Sequence, residues 1–220
     1  MKSTTFSFYL RPALAELLGT MLLALTVGIA LLTVGSPGYE ALYVPAAVGL
    51  VVGVLVYLLG PVSGAHFNPA VSFGQLLIRK ISLTRFLVYL VAQVLGATLG
   101  FALVKYSMNV LPFAPTSTGS SSLVAEIIGT AFLAFAVTRA TLGRIPEAAV
   151  GLVVGGALII GITISQFDSS GVLNPAIAVA LSFSSLKVGS YAMAYLLGPV
   201  VGSAIGTLLA YGLDVSPEKK

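Results

Sequence analysis

The chain of 220 residues contains no cysteine and no tryptophan, a single histidine, and very little charge: Asp, Glu, Lys and Arg together make up 8%. Without cysteine there is no disulfide, thiolate nucleophile or cysteine-ligated metal site. His66, standing alone, cannot build a histidine cluster, and no metal or cofactor is expected. The shortage of charge excludes more. A soluble domain carries about 25% charged residues, so this chain could not cover a water-facing surface. Hydrophobic residues make up 57% of it and the mean hydropathy is +1.04, the composition of an integral membrane protein. A pI near 9.4 would suit nucleic acid. The basic residues, however, sit singly at the ends of apolar spans rather than in runs with stacking aromatics, so the expected partner is the lipid bilayer and not nucleic acid. With tryptophan missing, the interfacial belt falls to Tyr39, Tyr43, Tyr106 and Tyr211.

What is present is apolar length. Crossing ~30 Å of hydrocarbon takes roughly 20 residues, and six stretches qualify, about 12–34, 42–59, 86–107, 122–142, 147–166 and 189–212. Two more, about 69–78 and 175–184, are too short to cross, and each begins at Asn-Pro-Ala. No small-residue cleavage site precedes the first span, which is therefore read as an uncleaved helix rather than a signal peptide. Turn-forming stretches separate the spans, and the Pro-, Ser-, Thr- and Gly-rich segment 112–122 is the best internal boundary.

The two sides of that boundary resemble each other. "ALAELLGTMLLAL" (13–25) matches "LVAEIIGTAFLAF" (123–135), and the octet "AAVGLVVG" occurs identically at 46–53 and 148–155. The order span, span, half-span, span runs twice, giving one domain over 1–220 made of repeats of about 1–111 and 120–220. An odd number of full spans per repeat inverts the second relative to the first, and inverted repeats place a binding or conduction site at the midplane seam. With the N-terminus inside, Lys2, Arg11, Arg79, Lys80, Arg85, Arg139, Arg144, Lys219 and Lys220 are cytoplasmic while Lys105 and Lys187 are outside, as the positive-inside rule requires. Both termini are then cytoplasmic, and each half-span re-enters on its own side.

Asparagine is a strong N-cap and proline suits the first helical position, so Asn68-Pro69-Ala70 and Asn174-Pro175-Ala176 read as helix starts that meet near the bilayer centre. Each helix start carries about half a positive charge, which raises a barrier to cations where the two meet. With the asparagine oxygens used in capping, the NH₂ groups are expected to point into the lumen. The irregular stretches that lead in, "SGAH" and "SSGV", must expose backbone carbonyls, and Gly64, Ala65, His66, Ser170 and Val172 are the expected contributors. Irregular backbone at this depth is tolerated only along a wet cavity. A narrow stripe of fixed donors and acceptors in an apolar tube describes a pore for water or small uncharged solutes.

Through "AELLGT", "SGAHFNPAVSF", "AEIIGT" and the second "NPA" at its spacing, the chain resembles the aquaporin (major intrinsic protein) family over nearly its whole length. The resemblance implies an all-α integral membrane fold of six transmembrane helices plus two re-entrant half-helices, one pore per subunit, a homotetramer in the cell membrane, and passive bidirectional flux. It also locates a departure. Family members usually carry Arg directly after the second "NPA", where this chain has Ile177. The family's spacings put the other outer-constriction positions at Val48, Ile162 and Gly171, the last through its backbone. The lining there is apolar, and Ala178 replaces the Asp that often follows in glycerol facilitators. An apolar outer ring either admits larger or less polar neutral solutes, dissolved gases included, or dewets and slows water.

Glu16 and Glu126 are carboxylates inside apolar spans, and that cost requires a reason. A proton relay is one reading. Their symmetric placement favours the other, in which each accepts backbone N–H bonds and holds a re-entrant loop. His66 is read as a brace for its loop rather than a pH gate, and the glycines spaced by four (Gly49/Gly53, Gly151/Gly155, Gly198/Gly202/Gly206) as helix contacts. Ser63 and His66, three apart with no second histidine, make poor geometry for a hydrolase, so no enzyme is expected. Two further classes stand beside the channel: a junctional membrane protein of the same fold with poor conductance, whose long adhesive loops are missing here, and a gated ion channel, whose acidic rings are missing.

Overall fold

A computed structural model describes residues 5–34, 42–110, 119–182 and 190–214. Among the described residues every regular element is helical: α1 (Thr5–Thr33), α2 (Tyr43–Ser63), α3 (Pro69–Leu77), α4 (Leu83–Met108), α5 (Ser120–Thr141), a 3₁₀ turn at Glu147–Ala149, α6 (Val150–Ser165), α7 (Pro175–Ser182), α8 (Ser190–Ala192), a π-turn at Met193–Leu197 and α9 (Gly198–Gly212). Six of these segments are long and apolar enough to cross a bilayer, while α3 and α7 are not. A helix is what such a segment must become, because hydrocarbon offers its backbone no other hydrogen-bond partner.

Two boundaries differ from the sequence expectation. α1 begins at Thr5 instead of about 12, and α2 continues to Ser63 instead of ending near 59. Pro12 and Pro61 lie inside these helices. A proline removes one backbone bond and kinks rather than ends a span that its neighbours hold in place. The second half-helix stops at Ser182, and 183–189, with Lys187, lie outside the described residues, as do Lys2, Tyr39, Lys219 and Lys220.

Three helix seams hold the bundle: α1 on α4, α5 on α9, and α2 on α6. Apolar side chains gain little by leaving lipid for one another, so close backbone approach has to supply the attraction. Glycine permits it. In α4, Gly96 and Gly100 lie against the carbonyls of Leu17 and Met21, and in α9, Gly202 and Gly206 lie against those of Ile127 and Ala131. These are corresponding pairs in the two repeats. At the α2–α6 seam, a Cβ on Gly49 would stand 2.5 Å from the Gly155 carbonyl oxygen, and a Cβ on Gly155 would stand 2.5 Å from that of Gly49.

The repeated octet therefore serves three directions at once. Its glycines face the partner copy, Leu50 and Leu152 point outward and are 68% and 75% exposed, and Val52 and Val154 turn inward onto a central cavity.

One end of the bundle gathers charge. Arg144 Nε meets Asp214 Oδ1 at 2.5 Å, Arg139 approaches the same oxygen at 3.5 Å, and the Arg85 guanidinium lies 4.6 Å over the Phe8 ring. Hydrogen bonding from Arg144 holds the Asp214 carboxyl below its ordinary range.

Candidate functional site

Asn68 caps α3 in extended conformation, its Oδ1 accepting from Ala70 N at 2.9 Å, and Pro69 takes the first helical position. Asn174 does the same for α7, accepting from Ala176 N at 3.0 Å. Their amide groups then cross between repeats: Asn68 Nδ2 donates to the Leu173 carbonyl at 2.8 Å, and Asn174 Nδ2 donates to the Phe67 carbonyl at 2.9 Å. The expectation that both NH₂ groups point wholly into the lumen is thereby corrected. One hydrogen of each ties the two helix starts together, and the second takes no part in that bond.

The loops that deliver these carbonyls follow matching paths. Ala65 and Phe67 have φ of 53° and 49°, and Gly171 and Leu173 have φ of 64° and 51°. Left-handed backbone costs a non-glycine residue roughly 1–2 kcal/mol, so something must hold each loop in place.

The two buried carboxylates do this. Glu16 Oε1 accepts from Ser63 Oγ (2.6 Å) and His66 N (2.9 Å), and its Oε2 accepts from Phe67 N (2.6 Å) and Gln93 Nε2 (2.8 Å). Glu126 accepts from Ser169 Oγ, from Val172 N at 2.9 Å and from Leu173 N at 2.7 Å. Ser63 Oγ and Ser169 Oγ each also accept from the backbone N–H two residues on. Ser63 is thus part of a loop brace, and the His66 ring turns away from it toward Ser72.

Several of these partners escape sequence reading. Ser63 and Ser169 stand at the same place before their asparagines, a signal that aligning the loops would have found. Tyr89, which donates to the Ser63 carbonyl at 2.7 Å, and Tyr195, against Ser169 and Ser170, likewise correspond. Gln93 and Ser72 have no counterparts in the other repeat, where Pro199 and Ala178 stand, and nothing local marks them as polar contacts.

Between the half-helix starts lies a cavity of about 280 Å³. Aliphatic side chains of α1, α2, α5 and α6 form most of its wall, with Leu23, Val27, Leu133 and Leu158 among them. Among the described residues, the polar ones that line it come from the loops and the helix starts: His66, Asn68, Ser170 and Asn174. Val48, Ile162, Gly171 and Ile177 all line it, as do Ala65 and Val172. A Cβ at Gly171 would come within 2.9 Å of Ile162 Cγ2, so only glycine fits there. Of the remaining candidates, Gly64 ends α2 at φ 90° and does not line the cavity, while Pro69, Ala70, Pro175 and Ala176 are buried behind the asparagines. Glu16 and Glu126 do not line it either, so among the described residues no carboxylate faces the cavity.

This geometry has relatives. Residues 2–211 match the family model described as major intrinsic protein. The chain is 32% identical to aquaporin NIP1-1 of Zea mays over 93% of its own length and 75% of that protein's. It is 34% identical to aquaporin PIP2-5 of Oryza sativa subsp. japonica over 78% of its length and 66% of the relative's. Nodulin-26 of Glycine max is 33% identical over 90% of this chain and 76% of its own. Among solved structures, the aquaglyceroporin from Plasmodium falciparum superposes with a TM-score of 0.73 at 26% identity, covering 92% of this chain and 93% of that one. With two capped half-helices meeting inside six spans, and a family match over nearly all of its length, the chain belongs to the major intrinsic protein family.

Proposed function

We propose that this protein is a channel, not an enzyme, carrying water and small uncharged solutes passively in both directions across the cell membrane. The observation that carries the reading is the pair Asn68 and Asn174. They sit at facing helix starts, tied to each other's loops, in a cavity whose wall is otherwise mostly aliphatic. Two positive helix ends at one depth repel cations, and an aliphatic wall offers nothing to replace an ion's hydration shell. Neutral molecules meet the second hydrogens of the asparagine amides and, on our assignment, the loop carbonyls. Val48, Ile162, Gly171 and Ile177 form the outer constriction.

Orientation and assembly complete the proposal. Arg139, Arg144 and Asp214 meet at one end of the bundle, where Lys80 also acts on Asp214. This end carries the excess of basic residues and is assigned to the cytoplasm with both termini. The functional unit is a homotetramer with one pore per subunit, as the family resemblance implies.

Stopped-flow light scattering on proteoliposomes, comparing water, glycerol, urea and ammonia, tests the reading. Permeability no greater than that of empty vesicles for all four would refute it and favour a junctional role. A second reading, preference for larger neutral solutes over water, is favoured by Ile177 and its aliphatic neighbours. It predicts glycerol or urea flux that is high relative to water in the same assay.

A further inference from the structure

One buried polar cluster exists in only one repeat. Counted from the two asparagines, His66, Ser72 and Gln93 correspond to Val172, Ala178 and Pro199. The second loop keeps its matching left-handed turns without them. The cluster is therefore not needed to build a re-entrant loop, and its hydrogen bonds have a direction that can be worked out.

Besides Gln93, Glu16 takes three donors, the Ser63 hydroxyl and the His66 N–H on Oε1 and the Phe67 N–H on Oε2, so both of its oxygens already act as acceptors. The group of Gln93 facing it must then be the amide nitrogen, because the amide oxygen there would set two acceptors against each other. The same Nε2 lies 3.0 Å from Ser72 Oγ and gives it its second hydrogen. Ser72 Oγ thus accepts from Gln93, and its own hydrogen needs an acceptor. Its one other partner among the described residues is His66 Nδ1, at 3.0 Å. Nδ1 must accept, which in a neutral imidazole leaves the proton on Nε2. Nε2 has no protein partner among the described residues, and His66, its ring set edge-on to Tyr89 with centroids 5.3 Å apart, lines the cavity.

We propose that Gln93 and Ser72 lock His66 as its Nε2–H tautomer and so make it a donor to the permeating molecule. It becomes a selectivity-determining residue on the His66 side of a pore that has no side-chain donor at Ile177. The donor role rests on the channel reading, whereas the tautomer does not. An imidazolium is excluded by the same chain of bonds: Nδ1–H would point at Ser72 Oγ, whose own hydrogen would then have no acceptor. The solute class favoured is neutral and bears an accessible acceptor oxygen, as water, urea and small alcohols do.

His66 is the sole histidine, so ¹⁵N-histidine labelling of the full chain in lipid gives one imidazole and needs no assignment. At neutral pH the expected spectrum has a pyridine-type Nδ1 and a pyrrole-type Nε2. In Ser72→Ala and in Gln93→Leu this preference should be lost and Nδ1–H should appear. A wild-type Nδ1–H tautomer, two pyrrole-type nitrogens, or a pattern unchanged in both variants overturns the lock.

The donor role is read separately in proteoliposomes. Glutamine places its amide nitrogen near the position of Nε2, and asparagine near that of Nδ1. His66→Gln should keep water and urea permeability within about twofold of wild type. His66→Asn should lose about threefold to tenfold, the value of one hydrogen bond. Equal losses in the two variants overturn the donor role. A wild type that conducts nothing refutes the channel reading instead, and the nitrogen spectrum stands apart from that result.

Discussion

If Glu126 holds the second loop in place, its replacements should rank by the acceptors they retain. Glu126→Leu removes the acceptor of two backbone N–H groups, those of Val172 and Leu173, in a site closed to water. Each buried donor left unsatisfied costs about 1–3 kcal/mol, so the loss is about 2–6 kcal/mol. The Ser169 hydroxyl can rotate toward another acceptor and adds little. Glu126→Gln keeps one oxygen and turns an NH₂ toward a donor, so about half the loss is expected, again by the cost per donor. Against a total stability of about 5–15 kcal/mol, the leucine variant should be marginal and the glutamine variant intact. Thr130, one turn on, supplies the control: its buried hydroxyl has no partner among the described residues, so Thr130→Val should be neutral within about 0.5 kcal/mol. Unfolding in one detergent, followed by circular dichroism, gives all four stabilities. A leucine variant as stable as wild type, or a glutamine variant weaker than the leucine one, would refute the scaffold role. Proton flux in wild-type vesicles that only the glutamine variant abolishes would favour the relay.

Asn68→Ala and Asn174→Ala should each lose a cap worth about 1 kcal/mol together with the bond across to the opposite loop; folded variants with unchanged permeability to every solute would remove the asparagines from the pore. Ile177→Arg should restore donors and positive charge at the outer constriction, lowering glycerol and urea flux much more than water flux; equal effects on all solutes, or none, would place Ile177 outside the filter. The Asp214 carboxyl is held down by Arg144, so the contact between the 142–146 turn and the end of α9 is complete above the ordinary carboxyl range and is lost as pH falls through the lowered value. Hydrogen exchange across 139–146, corrected for intrinsic rate, should rise only below about pH 4, near an unperturbed Asp, and Asp214→Asn should exchange fast at every pH; pH-independent exchange in the wild type would contradict this.

The features legible in the sequence are those with a local signal. A run of apolar residues declares a span, Asn-Pro declares a helix start, and a doubled octet declares a repeat. The Ala-Glu-x-x-Gly-Thr pair even located the carboxylates, whose partners a few residues before each asparagine could be anticipated in kind. Illegible were the pairings that depend on how far one helix is rotated or slid against another. Gln93 is one polar residue in a long apolar helix, and only the seam of α4 on α1 brings it to Glu16. The destination of the asparagine NH₂ was missed for a similar reason. It depends on the left-handed turns at Phe67 and Leu173, which point their carbonyls across the midplane and which neither residue type advertises. α1 starts ahead of the apolar stretch that marks its span, with Pro12 inside the helix, because apolar length marks what crosses the bilayer and not where the helix begins.

The two repeats agree where the demand falls on the backbone and differ at the side chains of the His66, Ser72 and Gln93 cluster. Glu16 and Glu126, Ser63 and Ser169, Tyr89 and Tyr195, and the two asparagines all serve to hold or to cap main chain, and main chain is the same in both loops. Such positions cannot drift separately, since each loop's carbonyls are the acceptors for the other repeat's asparagine. A change that moved one loop would break a bond in each repeat. Val71 and Ile177, the residues directly after the two Asn-Pro-Ala triplets, are both aliphatic and both line the cavity. On that count the pore has no built-in polarity. The polarity enters with His66 set against Val172, together with the Ser72 and Gln93 that orient it. On the proposed assignment, selection by hydrogen bonding is concentrated on one loop, and selection by size at the apolar residues Val48, Ile162 and Ile177. In such a channel the two kinds of selection can be altered independently, by substitution at His66 in one case and at Ile177 in the other.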